Sequence, residues 1–207
     1  MKKIVIIGAS GHGKVVADLA WKNQYEDIIF LDDNTQLDTC GRYRVVGTSQ
    51  EYSYYANEGF DVAVAIGNAR IRQRIQEQME REGICCKTLI HPSAVIAEDV
   101  EIGVGTVVMA NAVINPGTRI GKGCIINTCA SVDHDNSLAD YVHISVGAHL
   151  AGTVQVGQRT WIGIGAVIRN NIDICEDCMI GAGAVVVDHI REKGTYVGVP
   201  AKRKNLD

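Results

Sequence analysis

From residue 90 onward every sixth position is aliphatic. The series starts Ile90, Ile96, Ile102, Val108 and ends Ile174, Ile180, Val186, and all seventeen members are Ile, Leu or Val. Four residues after most of them sits a small or β-branched residue, such as Ala94, Thr106, Ala112, Cys124, Ala148 or Val154. Glycine often follows directly, as at Gly103, Gly121, Gly157, Gly163 and Gly181. An uninterrupted period of six is the signature of a parallel β-helix. Three hexapeptides make one triangular coil, with the aliphatic residue pointing into the prism and the small residue beside it near a corner. Coils stack at the strand spacing of about 4.8 Å, and each buries its apolar face only against its neighbours, so the array is stable as a stack.

Residues 1–88 follow different periods. "KIVIIG" (3–8), "DIIFLDD" (27–33), "FDVAVAIGN" (60–68) and "CCKTLI" (85–90) are β-branched runs that predict buried strands. "HGKVVADLAWKN" (12–23) carries Val15, Val16, Leu19 and Ala20 at helical spacing. "ARIRQRIQEQMEREG" (69–83) predicts a helix with Ile71, Ile75 and Met79 on its inner face and Gly83 as its C-terminal stop. Alternating strands and helices predict a Rossmann-like βαβ unit with a parallel sheet. The domains expected are therefore 1–88, a Rossmann-like α/β domain, and 89–207, a β-helix with a C-terminal tail.

Composition narrows the function. A net charge of −4 argues against a nucleic-acid binder. No stretch approaches the ~18 apolar residues of a membrane-spanning helix. The apolar run after "MKK" is too short for a secretion signal, so the chain reads as cytoplasmic. Seven scattered cysteines read as reduced thiols. "CEDC" (175–178) has the spacing of half a zinc site but lacks a second pair, so no metal is expected.

The hexapeptide register places candidate chemistry. In "SVDHDNS" (131–137), Val132 points inward and His134 therefore outward. His143, just before the inward Ile144, also lies on the outer face. Gly152 follows His134 by one coil and stacks beside it. An exposed imidazole next to open glycine backbone suits acyl transfer: the ring takes a proton from a nucleophile, and a glycine N–H stabilises the oxyanion. By position alone His134 is equally a surface histidine. The flanking Asp133 and Asp135 favour the base, since a carboxylate beside an imidazole raises its basicity.

The second constellation is "GASGHGK" (8–14), a glycine turn between the first strand and the first helix. Such a turn brings phosphate to a helix N-terminus. Its spacing is G-x-x-G-x-G, so the match to the dinucleotide fingerprint is weak. With under 90 residues, the half-domain suits one nucleotide, such as the head of a nucleotide-sugar. Asp32 and Asp33 end the second strand, where they suit a ribose or base edge.

Together "GASGHGK", "FLDD", "AIGN", the hexapeptide array, "HISVGAHLAG" and "YVGVPAKR" resemble the bacterial hexapeptide sugar acyltransferases, most closely the UDP-4-amino-sugar N-acetyltransferases of the bacillosamine pathway. The resemblance covers essentially the whole chain. It implies left-handed winding, acetyl-CoA as cosubstrate, and a homotrimer with active sites between subunits. It makes His134 the general base and Asp135 its partner, although an aspartate stands where close relatives carry a longer glutamate. It assigns acetyl-CoA contacts to His143, Gly152, Ile164 and Ala182. It assigns substrate contacts to Ser10, Gly11, His12, Asp32, Asp33 and Gly67. The expected reaction is direct acetyl transfer to the 4-amino group of a UDP-linked 4-amino-4,6-dideoxy sugar. Three alternatives remain at this level: O-acetylation of a sialic acid or N-acetylation of a GDP-linked amino sugar, a non-catalytic nucleotide-binding scaffold, and an NAD-dependent enzyme built on the glycine loop.

Overall fold

The computed structural model describes residues 1–204. The chain forms two compact units, Met1–Pro92 and Ser93–Asp207.

In the first unit, β1 (Lys2–Ile7), β2 (Tyr25–Leu31), β3 (Thr39–Cys40), β4 (Tyr43–Gly47) and β5 (Asp61–Val64) form one sheet in the order β3-β4-β2-β1-β5. All neighbours are parallel except β3, which is antiparallel to β4. The helices are α1 (Gly11–Lys22), α2 (Tyr52–Asn57) and α3 (Ala69–Arg81). β1 has β2 on one side and β5 on the other, so the strand order reverses there. In open α/β sheets ligands bind at the carboxyl ends of strands at such a reversal. The glycine loop and the "AIGN" loop both leave the sheet at this point.

Three details depart from the sequence expectation. The β3–β4 hairpin and α2 fill a segment with no clear period. On α3 the buried residues are Arg72, Gln76 and Met79, whereas Ile71 is 39% exposed. The cause is Arg72: its Nη1 donates to Ile66 O at 2.7 Å and Gly67 O at 2.9 Å. Satisfying those turn carbonyls gives Arg72 a buried place, while Ile75 and Met79 still pack against the core as expected. The "CCKTLI" run is likewise reduced to an isolated bridge from Cys86 to Val62 and the two-residue strand Leu89–Ile90.

The second unit is a parallel β-helix built from two-residue strands. Up to Val185–Val186 partners lie eighteen residues apart, as in Val113, Ser131, His149, Val167 and Val185; beyond it the three-residue strand Thr195–Val197 pairs parallel with Met179–Ile180 and antiparallel with Lys202–Arg203. From Val108 to Val186 every sixth-position aliphatic residue is at most 4% exposed. The offset slot is closed as well: Thr106, Ala112, Thr118, Cys124, Ala130, Val142, Ala148 and Val154 have no exposed surface. Ile96 and Ile102 are only half-buried, as expected at the end of a stack.

The corners show a second six-residue period that the side-chain pattern does not announce. Every sixth residue from Gly105 to Gly183 has φ between +55° and +74°. Eight of these residues are not glycine: Asn111, Cys129, Asp135, Tyr141, Thr153, Arg159, Asn171 and Asp177. Left-handed backbone costs roughly 1 kcal/mol or more for residues with a Cβ. Here the ladder bonds above and below each corner hold it in place.

Candidate active site

His134 and Asp135 form one corner of the β-helix. Asp135 takes the left-handed conformation, φ 57°, which a short polar side chain tolerates better than most. Its N–H donates to Pro116 O one coil below at 2.9 Å, and His134 O accepts from Thr153 N one coil above at 2.9 Å. The corner is thus pinned from both sides by backbone. Asn136, 1% exposed, fills the small-residue slot behind it. Its Nδ2 donates to Asp133 O at 2.6 Å and Ala151 O at 3.1 Å, and its Oδ1 accepts from Val154 N at 2.9 Å. Thr118 Oγ1 also donates to Asp133 O, at 2.8 Å. Asn136→Ala takes its side-chain partner from the Val154 N–H and from Ala151 O, each loss costing about 1–3 kcal/mol. We expect a loss of about 2–4 kcal/mol in urea-monitored unfolding.

On this corner His134 Nδ1 lies 2.7 Å from Asp135 Oδ2. The carboxylate accepts a hydrogen bond from Nδ1–H, which in the neutral ring leaves the Nε2 lone pair outward. The shorter aspartate therefore reaches the ring directly. Its hydrogen bond is the main reason the imidazole's pKa is raised above its usual value, with the Asp133 and Asp135 charges adding to it and solvation loss opposing it. Asp133 acts differently from Asp135. Its Oδ1 accepts from Asn115 Nδ2 at 2.7 Å and from the His134 backbone N–H at 2.8 Å. Those bonds hold its pKa below the ordinary carboxylate range.

Gly152 stands directly over the ring. A Cβ built on it would meet His134 Nε2, and would lie 2.5 Å from Cε1 and 3.0 Å from Cδ2. The N–H of Gly152 donates to no backbone carbonyl among the described residues. A lone-pair nitrogen beside an uncommitted N–H is the pairing that general-base acyl transfer requires.

The other predicted β-helix residues fall into two groups. Ile164, 62% exposed, and Ala182 stand one coil apart in one column with Val146, 42% exposed. The N–H groups of Ile164 and Ala182 also donate to no backbone carbonyl among the described residues. An apolar strip edged with such donors fits a chain of amides and methylenes like pantetheine. His143 is on the outer face, as its register requires, but is only 7% exposed. The Trp161 ring stacks on it with centroids 4.8 Å apart, and Asn127 Nδ2 lies 3.2 Å from its Nε2. Trp161 Nε1 donates in turn to Ser145 Oγ. The sequence reading missed Trp161 and Asn127. Both lie eighteen or sixteen residues from His143, and that spacing was the available signal.

In the first unit, the glycine loop is packed against its surroundings. Gly8 has φ +109°, and a Cβ there would sit 2.8 Å from Ala65 O. A Cβ on Gly13 would meet Gly8 O. Gly11 and Gly67 have open space where a Cβ would stand. Ser10 is the N-cap residue of α1, but its side chain makes no capping bond. His12 Nε2 is buried without a hydrogen-bond partner. Burial, and then the nearby Arg72 charge, push its pKa down to about 4, so the ring is neutral near pH 7. Asp32 Oδ2 accepts from Ala9 N at 2.7 Å and Oδ1 from Asn34 N at 2.8 Å. Asp32 also lines a cleft of about 190 Å³ with Asn34, Leu37, Val45 and Thr48. Asp33 Oδ1 accepts from Ser49 N at 2.9 Å, and bonding to Ser49 lowers its pKa. Both acids thus brace loops with part of their acceptor capacity. Among the described residues, no group of three or more His, Cys, Asp or Glu could hold a metal ion. No helix among them is long and apolar enough to cross a membrane.

Comparison with known proteins adds the following. The PglD N-terminal domain family matches residues 3–79, and the bacterial transferase hexapeptide family matches 153–188. The acetyltransferase domain of PglB from Neisseria gonorrhoeae is 43% identical, with a TM-score of 0.94 over 99% of this chain and 100% of that one. The same domain has been solved with acetyl coenzyme A. PerB from Caulobacter crescentus, solved with CoA and GDP-perosamine, is 35% identical, with a TM-score of 0.93 over 99% and 98% of the two chains. The UDP-N-acetylbacillosamine N-acetyltransferase of Bacillus subtilis is 37% identical over 115 residues, 53% of this chain and 52% of that protein. The match thus spans about half the length of that curated relative. The winding of the coils agrees with the left-handed β-helix of the PglB and PerB enzymes.

Proposed function

The chain belongs to the hexapeptide-repeat acetyltransferases with a PglD-type N-terminal domain, and from that premise we propose that it N-acetylates a nucleotide-linked amino sugar. The proposed substrates are acetyl-CoA and the 4-amino group of a UDP-linked 4-amino-4,6-dideoxy sugar. The observation that carries the reading is the His134–Asp135 pair, with Nε2 packed against Gly152, whose N–H donates to no backbone carbonyl among the described residues. Relatives solved with acetyl-CoA and with CoA plus a GDP-amino sugar support the substrate class.

The residues act in sequence. Ile164 and Ala182 hold the pantetheine arm through their backbone, and His143 braces the neighbouring face through Trp161. Ser10, Gly11, His12 and Gly67 receive the nucleotide end of the sugar, and Asp32 and Asp33 shape the cleft for its base. His134 Nε2 takes the amine proton as the nitrogen adds to the thioester carbonyl. Gly152 N–H donates to the oxyanion. The imidazolium, stabilised by Asp135, returns the proton to the departing thiolate. No acyl-enzyme is required, and none of the cysteines lies at this corner. The working assembly is a homotrimer in the cytoplasm, with the site completed by a neighbouring subunit. The exposed Val146 and Ile164 of the pantetheine column give that neighbour an apolar surface to meet.

A GDP-linked amino sugar is the second reading, favoured by the likeness to PerB. Thiol release from acetyl-CoA, measured in parallel with UDP-4-amino-4,6-dideoxy-N-acetylglucosamine and GDP-perosamine, separates the two. We expect kcat/KM for the UDP-sugar to be about tenfold or more above that for the GDP-sugar. The opposite order assigns the guanine nucleotide. No release with either, or with a sialic acid, favours the scaffold reading.

A further inference from the structure

We propose that Gly117 is a positioning residue of the acetyl-transfer centre: its missing side chain leaves the space that Asp135 Oδ1 occupies and so keeps Oδ2 on His134 Nδ1. This rests on the reading of His134 as the base. Gly117 lies one coil below Asp135, as Gly152 lies one coil above His134. A Cβ on Gly117 would stand 2.5 Å from Asp135 Oδ1, 3.4 Å from Cγ and 3.6 Å from Cα. The two catalytic side chains are therefore bracketed by two glycines in adjacent coils.

Backbone conformation does not explain the glycine. Gly117 has φ +74°, but eight residues with a Cβ occupy the same corner position elsewhere in the β-helix. At Gly147, φ +59°, a Cβ would meet nothing within 4 Å. What distinguishes residue 117 is the carboxylate above it. That carboxylate is largely exposed, 65%, so little else orients it. Gly117 is itself held in place, since its N–H donates to Asp99 Oδ2 at 2.9 Å and Pro116 O accepts from Asp135 N. A filled position 117 would push Oδ1 upward and turn Oδ2 off the ring.

The charged groups facing His134 are few. Asp133 and Asp135 flank it on its own turn. The coil above contributes Gly152 and Thr153 and the coil below Pro116 and Gly117, none of them titratable. The His134–Asp135 bond raises the imidazole pKa, so losing it lowers that pKa. A general base works in its neutral form, so the acid limb of the kcat/KM profile moves to lower pH in step.

The test is NMR titration of the His134 ring in the full chain, assigned with His134→Ala, for Gly117→Ala, Gly117→Asn and Gly147→Ala. Asparagine tolerates the left-handed corner, so Gly117→Asn keeps the backbone while filling the same space. Both Gly117 variants should bring the His134 midpoint down toward the ordinary 6.5 of a free imidazole. They should also lower kcat about tenfold, a fraction of a full general-base effect, with KM for acetyl-CoA unchanged. Gly147→Ala should leave the His134 midpoint where it is. In an Asp135→Asn background, adding Gly117→Ala should change neither midpoint nor kcat further. The proposal is overturned if both Gly117 variants titrate like the unsubstituted protein, or if Gly147→Ala shifts the midpoint equally. The titration needs no acceptor sugar, so it is decided even if the acetyltransferase reading fails.

Discussion

Replacing His134 by alanine is expected to lower kcat for acetyl transfer on the order of 10²- to 10⁴-fold, the usual contribution of a positioned general base. The side chain is 56% exposed and packs into no core, so the fold should be nearly untouched. Stability should stay within about 0.5 kcal/mol, as for surface substitutions in general. Binding of acetyl-CoA should survive, because the pantetheine column of Ile164 and Ala182 lies elsewhere on the coil stack and the Gly152 backbone is unchanged. Thiol-release kinetics and calorimetric CoA binding on the same preparation check both halves. Retained turnover would mean that solvent or another group removes the amine proton. Loss of CoA binding together with turnover would instead point to a structural role for the ring.

Gly152→Ala is expected to be nearly as damaging by a different route. Gly152 does not take the left-handed conformation, so its backbone accepts a side chain. The new methyl group, however, would occupy the place of the imidazole Nε2. The ring must swing away, and a displacement near 1 Å at a reacting centre costs on the order of 10²-fold in rate. The alanine N–H is still present, so the oxyanion donor is not deleted. The loss should therefore be strongly non-additive with His134→Ala, since the first substitution acts through the second residue. A double variant no slower than His134→Ala alone supports this. A full further loss of 10²-fold would show that the methyl group acts on the thioester side instead.

The β-helix was legible in the chain to an unusual degree, and the reason is local. A period of six repeated over many coils reports one side-chain direction again and again, so a single misfit cannot hide it. That register also put His134 outside and Gly152 beside it, whereas Ile164 and Ala182 entered only through the family resemblance. The α/β unit was less legible. Its β1, β2 and β5 runs read correctly, but the β3–β4 hairpin has no period, and α3 buries Arg72 in preference to Ile71. A guanidinium that satisfies two turn carbonyls outweighs one isoleucine, and no pattern of apolar residues records that exchange.

What the sequence determined by itself is the repeat, the division into two units and the candidate base with its acidic neighbours, because each depends on spacing along the chain. What spacing along the chain left open, and the tertiary structure decided, is which of the two carboxylates bonds to the imidazole. Asp133 and Asp135 flank His134 symmetrically in sequence. In the fold, Asp133 turns back to Asn115 and the His134 N–H, while Asp135 takes the ring. The left-handed corner turns the two carboxylates to different sides. The glycines that leave room for ring and carboxylate come from the coils above and below, eighteen residues away in each direction.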